Sequence, residues 1–285
     1  MKFCFTVTKE CSGQTVEQIL KDQFQISSHL LKNIRLYGSL TCDGIKIKTN
    51  DIASNGCTLL AEWDFNGTEA GDITSKSIPV LFQDECFVIV DKPKNLCVHP
   101  SRGHSQDSLI TVLSGGNHLN VVTRLDRDTS GIVILAKNGH WHNRMSQTEI
   151  IKLYFGLVHG HPLKKEGIIH APIEREEEGS IKRIVRPDGK SATTAYQVLE
   201  YIEESHCSLM EFRLFTGRCH QIRVHSSYLG CPLVGDTLYG DKGENLKIDG
   251  QRLLCGQVQF IHPKSGELIK IRIPDYKERL LQGIM

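Results

Sequence analysis

Residues 123–138 read Thr-Arg-Leu-Asp-Arg-Asp-Thr-Ser-Gly-Ile-Val-Ile-Leu-Ala-Lys-Asn. Ile132 to Ala136 is a short aliphatic strand, and the polar residues before it form the turn that feeds it. Asp126 sits in that turn between Arg124 and Arg127, whose cations favour the charged form of its carboxylate. A charged, positioned carboxylate serves as nucleophile, base or electrostatic stabiliser. The same residues have a plainer reading, in which Asp126 and Asp128 only shape a loop, since Asp, Thr, Ser and Gly are all turn formers.

Working outward, Phe87 to Val90 reads as a strand, and Pro93, which lacks a backbone donor, ends it. Lys92 and Lys94 follow in a basic turn, either simply exposed or meeting phosphate. Lys152 to Gly160 is another strand, with Tyr154 and Phe155 on opposite faces and one of the two rings inward. Leu209 to Phe215 and Ile269 to Ile273 complete the aliphatic strands. Between them lies Gly217-Arg-Cys-His-Gln-Ile-Arg-Val-His225, a helix-like run stopped by Gly230 and Pro232. The helix carries His220, Gln221, Arg223 and His225, more hydrogen-bonding capacity than packing needs. Buried there, Arg223 requires an anionic partner, because an unpaired buried charge is costly, and Asp126 is an available one.

The 285 residues suit one large domain, or a catalytic domain with a small appendage, and 24% charged and 39% hydrophobic residues describe an ordinary globular chain. A formal charge of +1 means that any affinity for nucleic acid resides in local basic surface rather than in a global field. The beginning, Met-Lys-Phe-Cys-Phe-Thr, has no secretory apolar region, and no apolar run is long enough to span a bilayer. Ten cysteines without a Cys-x-x-Cys pair indicate a reducing cytoplasm in which thiols act as small apolar residues. The thirteen histidines show no zinc spacing, so no metal is expected.

Residues 1–65 read as a separate module and 66–77, rich in Gly, Thr, Ser and charge, as a linker. Thr15-Val-Glu-Gln18 is a capping box for a helix carrying Val16, Ile19, Leu20 and Phe24. Ser27 or Ser28 caps a second helix bearing Leu30, Leu31 and Ile34, which Gly38 closes. Leu40 to Cys42, an Asp43-Gly44 turn and Ile45 to Ile47 then form a hairpin, and Cys57 to Trp63 one more strand. This order resembles the alpha-L (S-four type) RNA-binding module, an αα-hairpin followed by strands, and the resemblance makes Lys32, Arg35, Lys46 and Lys48 candidates for RNA contact.

Four separated motifs agree in order: Val90-Asp-Lys-Pro…His99-Pro100, Arg124-Leu-Asp-Arg-Asp-Thr-Ser-Gly131, Lys152-x-Tyr154, and Gly217-Arg-x-His-Gln-Ile-Arg-x-His225 with Gly235-Asp236 beyond. On these the chain resembles the RluA/RluD family of RNA pseudouridine synthases over about residues 78–275, within a catalytic domain spanning 78–285. The resemblance implies an α+β fold, a bent and mostly antiparallel sheet with flanking helices around a central cleft. It makes Asp126 the catalytic aspartate, Tyr154 the active-site tyrosine that packs on the target base, and Arg223 the cation paired with the aspartate. Arg124, Arg127, Lys92, Arg218, His220 and Gln221 become candidates for RNA contact. So do Lys182, Arg183 and Arg186, in the variable loop before Gly189-Lys-x-Ala-x-Thr194, although Glu174 to Glu178 leave that arm mixed in charge. The chain departs from the family at Thr123, where many members have His, and at Cys255-Gly256, where many have His-Ala.

The activity implied is isomerisation of uridine to pseudouridine in structured RNA, ribosomal RNA favoured over transfer RNA, by a cytoplasmic monomer that needs no cofactor, metal or membrane. Two other readings remain: an RNA-binding assembly factor that keeps the fold without the activity, and a glycosidase-like hydrolase using Asp126 and Asp128. Two carboxylates two residues apart on one turn are poorly placed to flank a bond from opposite sides.

Overall fold

The computed structural model describes residues 2–24, 26, 31, 34–35, 38–63, 78–99, 108–114, 119–240 and 250–283. The expected linker, Lys32, the two serine caps and Pro100 lie outside the described residues.

The first unit contains β1 (Lys2–Thr6), α1 (Val16–Phe24), β2 (Gly38–Cys42), β3 (Ile45–Lys46) and β4 (Thr58–Trp63), with an antiparallel sheet ordered β1-β4-β2-β3. The capping box forms as read: Gln18 N donates to Thr15 Oγ1 at 3.3 Å, and Thr15 N donates to Gln18 Oε1 at 2.9 Å. Asp43 and Gly44 both adopt positive φ, 48° and 82°, the backbone of a tight two-residue hairpin turn. β1 is an unforeseen strand. Its alternation sets the Phe3 and Phe5 rings 4.8 and 5.5 Å from the ring of Phe24 on α1. Val16, Ile19, Leu20, Leu40 and Leu59 belong to a core of this unit's own. Leu31, Ile34 and Arg35 are helical, where the second helix was expected.

The larger unit carries β5 (Val80–Gln83), β6 (Phe87–Lys92), α2 (Leu109–Ser114), β7 (Asn120–Val121), β8 (Ser130–Ala136), α3 (Gly139–Ser146), β9 (Ile151–His159), β10 (Glu166–His170), β11 (Ile173–Arg175) and β12 (Arg183–Val185). After these come β13 (Thr193–Ile202), β14 (Cys207–Leu214), α4 (Gln221–Tyr228), β15 (Leu253–Ile261), β16 (Leu268–Arg272) and α5 (Tyr276–Leu281). One sheet runs β10-β13-β14-β9-β15-β8-β6-β5, with β16 beside β15 and β7 beside β8, while β11 and β12 form a separate hairpin. Every pairing is antiparallel except β15 with β8, so the fold is α+β with a mixed, mostly antiparallel sheet.

β6 and the aliphatic part of β8 are buried on both faces, which explains their unbroken apolar runs. Phe87, Ile89, Ile132 and Ile134 enter the core on one side of the sheet, and Val88, Val90, Val133 and Leu135 enter a second core on the other. Full burial of each such side chain is worth about 1.5–3 kcal/mol. The same two-sided cover corrects one expectation: Tyr154 and Phe155 are both buried, and Phe155 stacks on Tyr276 of α5 with ring centres 3.9 Å apart. Among the described residues no helix is long and apolar enough to cross a membrane. None of the ten cysteines forms a disulfide, and Cys11, Cys57, Cys86, Cys207, Cys231 and Cys255 are buried.

Candidate active site

The loop that carries Asp126 is pinned at both ends. Upstream, Ile134 N of β8 donates to Thr123 Oγ1 at 2.9 Å. Downstream, Gln251 Nε2 donates to Thr129 Oγ1 at 3.1 Å, and Thr129 N donates to Asp126 O at 3.2 Å. Gly131 then enters β8 with φ 111°, and a Cβ there would fall 2.3 Å from Cys255 O, so this position admits only glycine.

Lys92 holds the loop from beneath. Its ammonium donates to Pro93 O, Leu96 O and Arg127 O at 2.8, 2.8 and 2.9 Å, and the residue is fully buried. Burial pulls its pKa down to about 8, against the attraction of Asp128, and at that value the lysine keeps its proton at neutral pH, as three carbonyl acceptors require. The expectation of a phosphate contact at Lys92 is therefore corrected: all three donors are spent on backbone.

Across from this loop stands Arg223 on α4. Its Nε and Nη2 donate to Asp236 Oδ2 and Oδ1 at 2.7 and 2.8 Å, a bidentate pair with a fully buried carboxylate. Asp236 Oδ1 also accepts from Leu238 N and Tyr239 N at 3.0 and 3.1 Å. Arg223 Nη1 is left facing Asp126 Oδ2 at 3.7 Å. The sequence-based pairing of Arg223 with Asp126 is thus only half of the arrangement. Burial works against the guanidinium, but the hydrogen bonds and charge of Asp236 together with the charge of Asp126 outweigh it, and the arginine pKa is raised.

The helix is shorter than the sequence suggested. It starts at Gln221, and His220 caps it with a left-handed backbone, φ 56°. His220 Nε2 lies 4.0 Å from Asp126 Oδ2, and Nδ1 lies 2.8 Å from the Tyr239 hydroxyl. That hydroxyl already accepts from Arg183 N at 2.9 Å, and burial pushes its pKa up to about 12, so it keeps its proton. The Nε2 edge of the ring faces Asp126. Burial lowers the His220 pKa, so a neutral ring, not an ion pair, faces the carboxylate. The Tyr239 ring in turn covers Arg223, with the guanidinium carbon 5.0 Å from its centre.

Tyr154 of β9 pairs in register with Cys255 of β15, which pairs with Gly131 of β8, so the tyrosine is tied to the Asp126 loop through two strand contacts. Burial raises its pKa well above 10, and the Cys255 thiol and the Asp126 charge add to the effect. The phenol therefore stays protonated and offers a ring and a hydroxyl rather than a phenolate.

The remaining candidates divide. Arg124 and Arg218 are exposed, Arg218 donating to Ser191 O at 2.9 Å. Arg127 is exposed and bonds Asp128 at 3.0 Å. Lys182, Arg183 and Arg186 sit on or beside the β11–β12 hairpin, each facing an acid: Glu176 at 3.0 Å, Glu174 at 4.0 Å and Asp188 at 2.6 Å. Arg35 is committed to Glu17 and to Thr49 Oγ1. Gln221 is corrected as an RNA contact: it is buried, its amide donates to Thr193 O and Thr194 Oγ1, and its carbonyl accepts from Thr216 and Arg218 N. Asp236 and Tyr239 are site residues that motif reading quoted or passed over without a role. A buried arginine's demand for a carboxylate is the signal that points to Asp236.

Among the described residues one group has the composition of a metal centre, Asp84, Cys86 and His262, with ligand atoms within 4.8 Å of one another. Its carboxylate and imidazole atoms are taken up by hydrogen bonds. His262 Nδ1 accepts from Lys264 N and Ser265 N at 3.2 and 3.1 Å, so Nε2 carries the hydrogen that it gives to Asp84 at 2.8 Å. The other Asp84 oxygen accepts from Cys86 N and Phe87 N.

Residues 86–228 match the family described as RNA pseudouridylate synthase. An uncharacterised RNA pseudouridine synthase of Bacillus subtilis is 32% identical, covering 80% of this chain and 83% of the relative. The ribosomal large subunit pseudouridine synthase D of Xanthomonas campestris is 30% identical, covering 98% of this chain and 91% of its own length. Among solved structures, human RNA pseudouridylate synthase domain containing 1 shares the fold with a TM-score of 0.58 at 23% identity, over 72% of this chain and 86% of that one.

Proposed function

This chain belongs to the RNA pseudouridylate synthase family, and on that premise we propose that it converts uridine to pseudouridine in structured RNA, ribosomal RNA in preference to transfer RNA, with Asp126 as the reacting carboxylate and no cofactor. The observation that carries the assignment is the setting of Asp126: one-third exposed, with Arg223 Nη1 at 3.7 Å and the neutral His220 ring at 4.0 Å. A polar group that solvent reaches, but that a buried cation and a partly buried imidazole face, is built to meet something outside the protein.

The reaction breaks the C1′–N1 bond of uridine, turns the detached uracil and joins C5 to C1′. The C5 hydrogen leaves as a proton and N1 gains one, so nothing is oxidised and no atom is supplied from elsewhere. Asp126 serves this exchange either by adding to the electron-poor anomeric carbon and leaving again, or by drawing off the 2′ proton to give a glycal. Arg223, anchored by Asp236, fixes the carboxylate's position. Tyr154, protonated, provides the face on which the released ring turns. The target base leaves its stack to arrive there, which costs a few kcal/mol; cations beside the site, Arg124 and Arg218 among them, offset part of that through phosphate contacts.

Residues 1–65 would act as an alpha-L-like RNA-binding module and 66–77 as a linker to the catalytic domain at 78–285, a division supported by the first unit's own sheet and core. The protein would work as a cytoplasmic monomer. Release of tritium from RNA labelled at uridine C5 tests the reaction. The wild type should release it with turnover, and Asp126→Asn should bind RNA equally and release none. Free uracil among the products would indicate hydrolysis instead, and an inert wild type would reduce the protein to a binding factor.

A further inference from the structure

We propose that a polar groove beside the catalytic loop, running from Thr123 and Lys152 past α3 to the turn between β15 and β16, holds the phosphodiester backbone of the RNA strand flanking the target uridine. This rests on the RNA reading above and adds a binding surface to it.

Two cavities make up the groove. One, of about 260 Å³, is lined by Thr123, His142, Ser146, Thr148 and Lys152 among others. The other, of about 500 Å³, is lined by Arg144, Gln147, Thr148, Lys264 and Ser265 among others. Thr148 belongs to both, so they meet at that residue. Asp126 lines neither, but the first cavity reaches its neighbourhood twice. Thr123 begins the loop that presents the carboxylate, hydrogen-bonded at its fixed place on β8. Lys152 stands two residues before Tyr154 on β9, on the same strand face and about 7 Å away along the strand.

The charge is one-sided. Arg144, Lys152 and Lys264 line the cavities, and no aspartate or glutamate does, in a chain whose 34 basic and 33 acidic residues otherwise nearly cancel. Lys264 is partly offset by Glu85 outside the groove. Arg144 spends Nη2 on Pro263 O at 2.9 Å, a bond to a neutral carbonyl that ties α3 to the β15–β16 turn, and it makes no ion pair with a described residue. Lys152 is half-buried and makes no ion pair with a described residue. Between these cations lie short polar groups, Ser146, Thr148, Ser265 and His142; Ser146 and Thr148 give their hydroxyl hydrogens to Asn143 O and Arg144 O at 2.7 and 3.0 Å, and His142 Nε2 donates to Val121 O at 3.1 Å, so the cations supply the phosphate contacts and these groups the polar lining. Apolar rings for stacking bases are not part of the lining, so the groove fits a backbone rather than a sequence.

Fluorescence anisotropy with labelled oligouridine, measured over a range of NaCl, tests this. Each phosphate contact on a single strand contributes about 0.7 to the slope of log K against log salt. Lys152→Gln and Arg144→Gln should each weaken binding and lower the slope by about that amount, and the pair by about twice it. Arg144→Lys and Lys152→Arg should retain the slope, and Lys277→Gln, outside the groove, should not alter it. With labelled ribosomal RNA as substrate, Arg144→Gln should raise KM and leave kcat as it was. An unchanged slope in the double variant overturns the proposal. So does photocrosslinking of wild-type protein to 4-thiouridine RNA that yields no adducts in residues 139–152 or 261–266, a measurement that needs no variant to fold. Should the wild type make no pseudouridine while the slopes fall as stated, the catalytic reading fails and the groove stands.

Discussion

Arg223 faces two acids whose removal should have opposite consequences. Asp236 is fully buried and Arg223 nearly so, with two hydrogen bonds of 2.7 and 2.8 Å between them. Asp236→Asn preserves an acceptor for Leu238 N and Tyr239 N but removes the one fully buried counter-charge of the guanidinium among the described residues. Stripping one partner from a buried ion pair costs about 3–5 kcal/mol. At about 2–4 °C per kcal/mol for a domain of this size, the melting midpoint should fall by roughly 10 °C. Asp126 is a third exposed and 3.7 Å from the same arginine, so Asp126→Asn should shift stability by no more than about 1 kcal/mol. Urea unfolding followed by circular dichroism gives both numbers, and tritium release gives the activities. Asp126→Asn should be stable and inert, whereas Asp236→Asn should be unstable and, where folded, retain some turnover. Replacing both members of the buried pair, Arg223→Met with Asp236→Leu, should recover most of the stability lost in Asp236→Asn, and no activity. The reasoning fails if Asp236→Asn unfolds within 1 kcal/mol of wild type, or if Asp126→Asn is destabilised as much.

Gly131→Ala should misplace the Asp126 loop, because its Cβ would meet Cys255 O at 2.3 Å; a loss of several kcal/mol on urea unfolding is expected, and a wild-type midpoint would contradict it. His140, whose ring lies 5.3 Å from Phe3, is held neutral, its pKa lowered to about 4 by burial first and then by Arg144. Its unfolded form takes up a proton near pH 6.5 and its folded form only near 4, so the fold should lose stability as pH falls through that window, and His140→Phe should lose less, on urea unfolding at pH 7 and pH 4.5. Tyr154→Phe retains the ring and should retain most of the turnover; a fall beyond about a hundredfold in tritium release would assign the hydroxyl a proton-transfer role instead.

Where local chemistry decides structure, the residues could be read directly. The Thr15–Gln18 box, the Asp43-Gly44 turn and the strands at Phe87 and Ile132 need only neighbours in sequence. The Lys2–Thr6 strand is too short to stand out, five residues with only Phe3 and Phe5 to mark the alternation of an edge strand. Lys92 was misjudged for a different reason. Three carbonyls from residues 93, 96 and 127 converge on one ammonium, and that convergence exists only after β6 and β8 have paired. Similarly, the motif order suggested Asp126 as the partner of Arg223, but the tighter partner lies thirteen residues further along on a turn after α4. Asp126, Tyr154, Arg223 and His220 are legible from sequence; what stays hidden is that Asp236 and Tyr239 hold Arg223 and His220 beside Asp126.

β15 lies between β8 and β9, parallel to the first and antiparallel to the second. Those two neighbours leave the ribosome about a hundred residues before the strand that joins them, and translation proceeds at about 5–20 residues per second. Throughout that interval a nascent chain carries two apolar strand edges with nothing between them. The Asp126 loop, seated on β8, and Tyr154, on β9, are brought to their final separation only when residues 253–261 emerge. Synthesis itself therefore withholds a finished enzyme until residues 253–261 have emerged, and a product truncated before Leu253 would be an aggregation hazard rather than a slower catalyst.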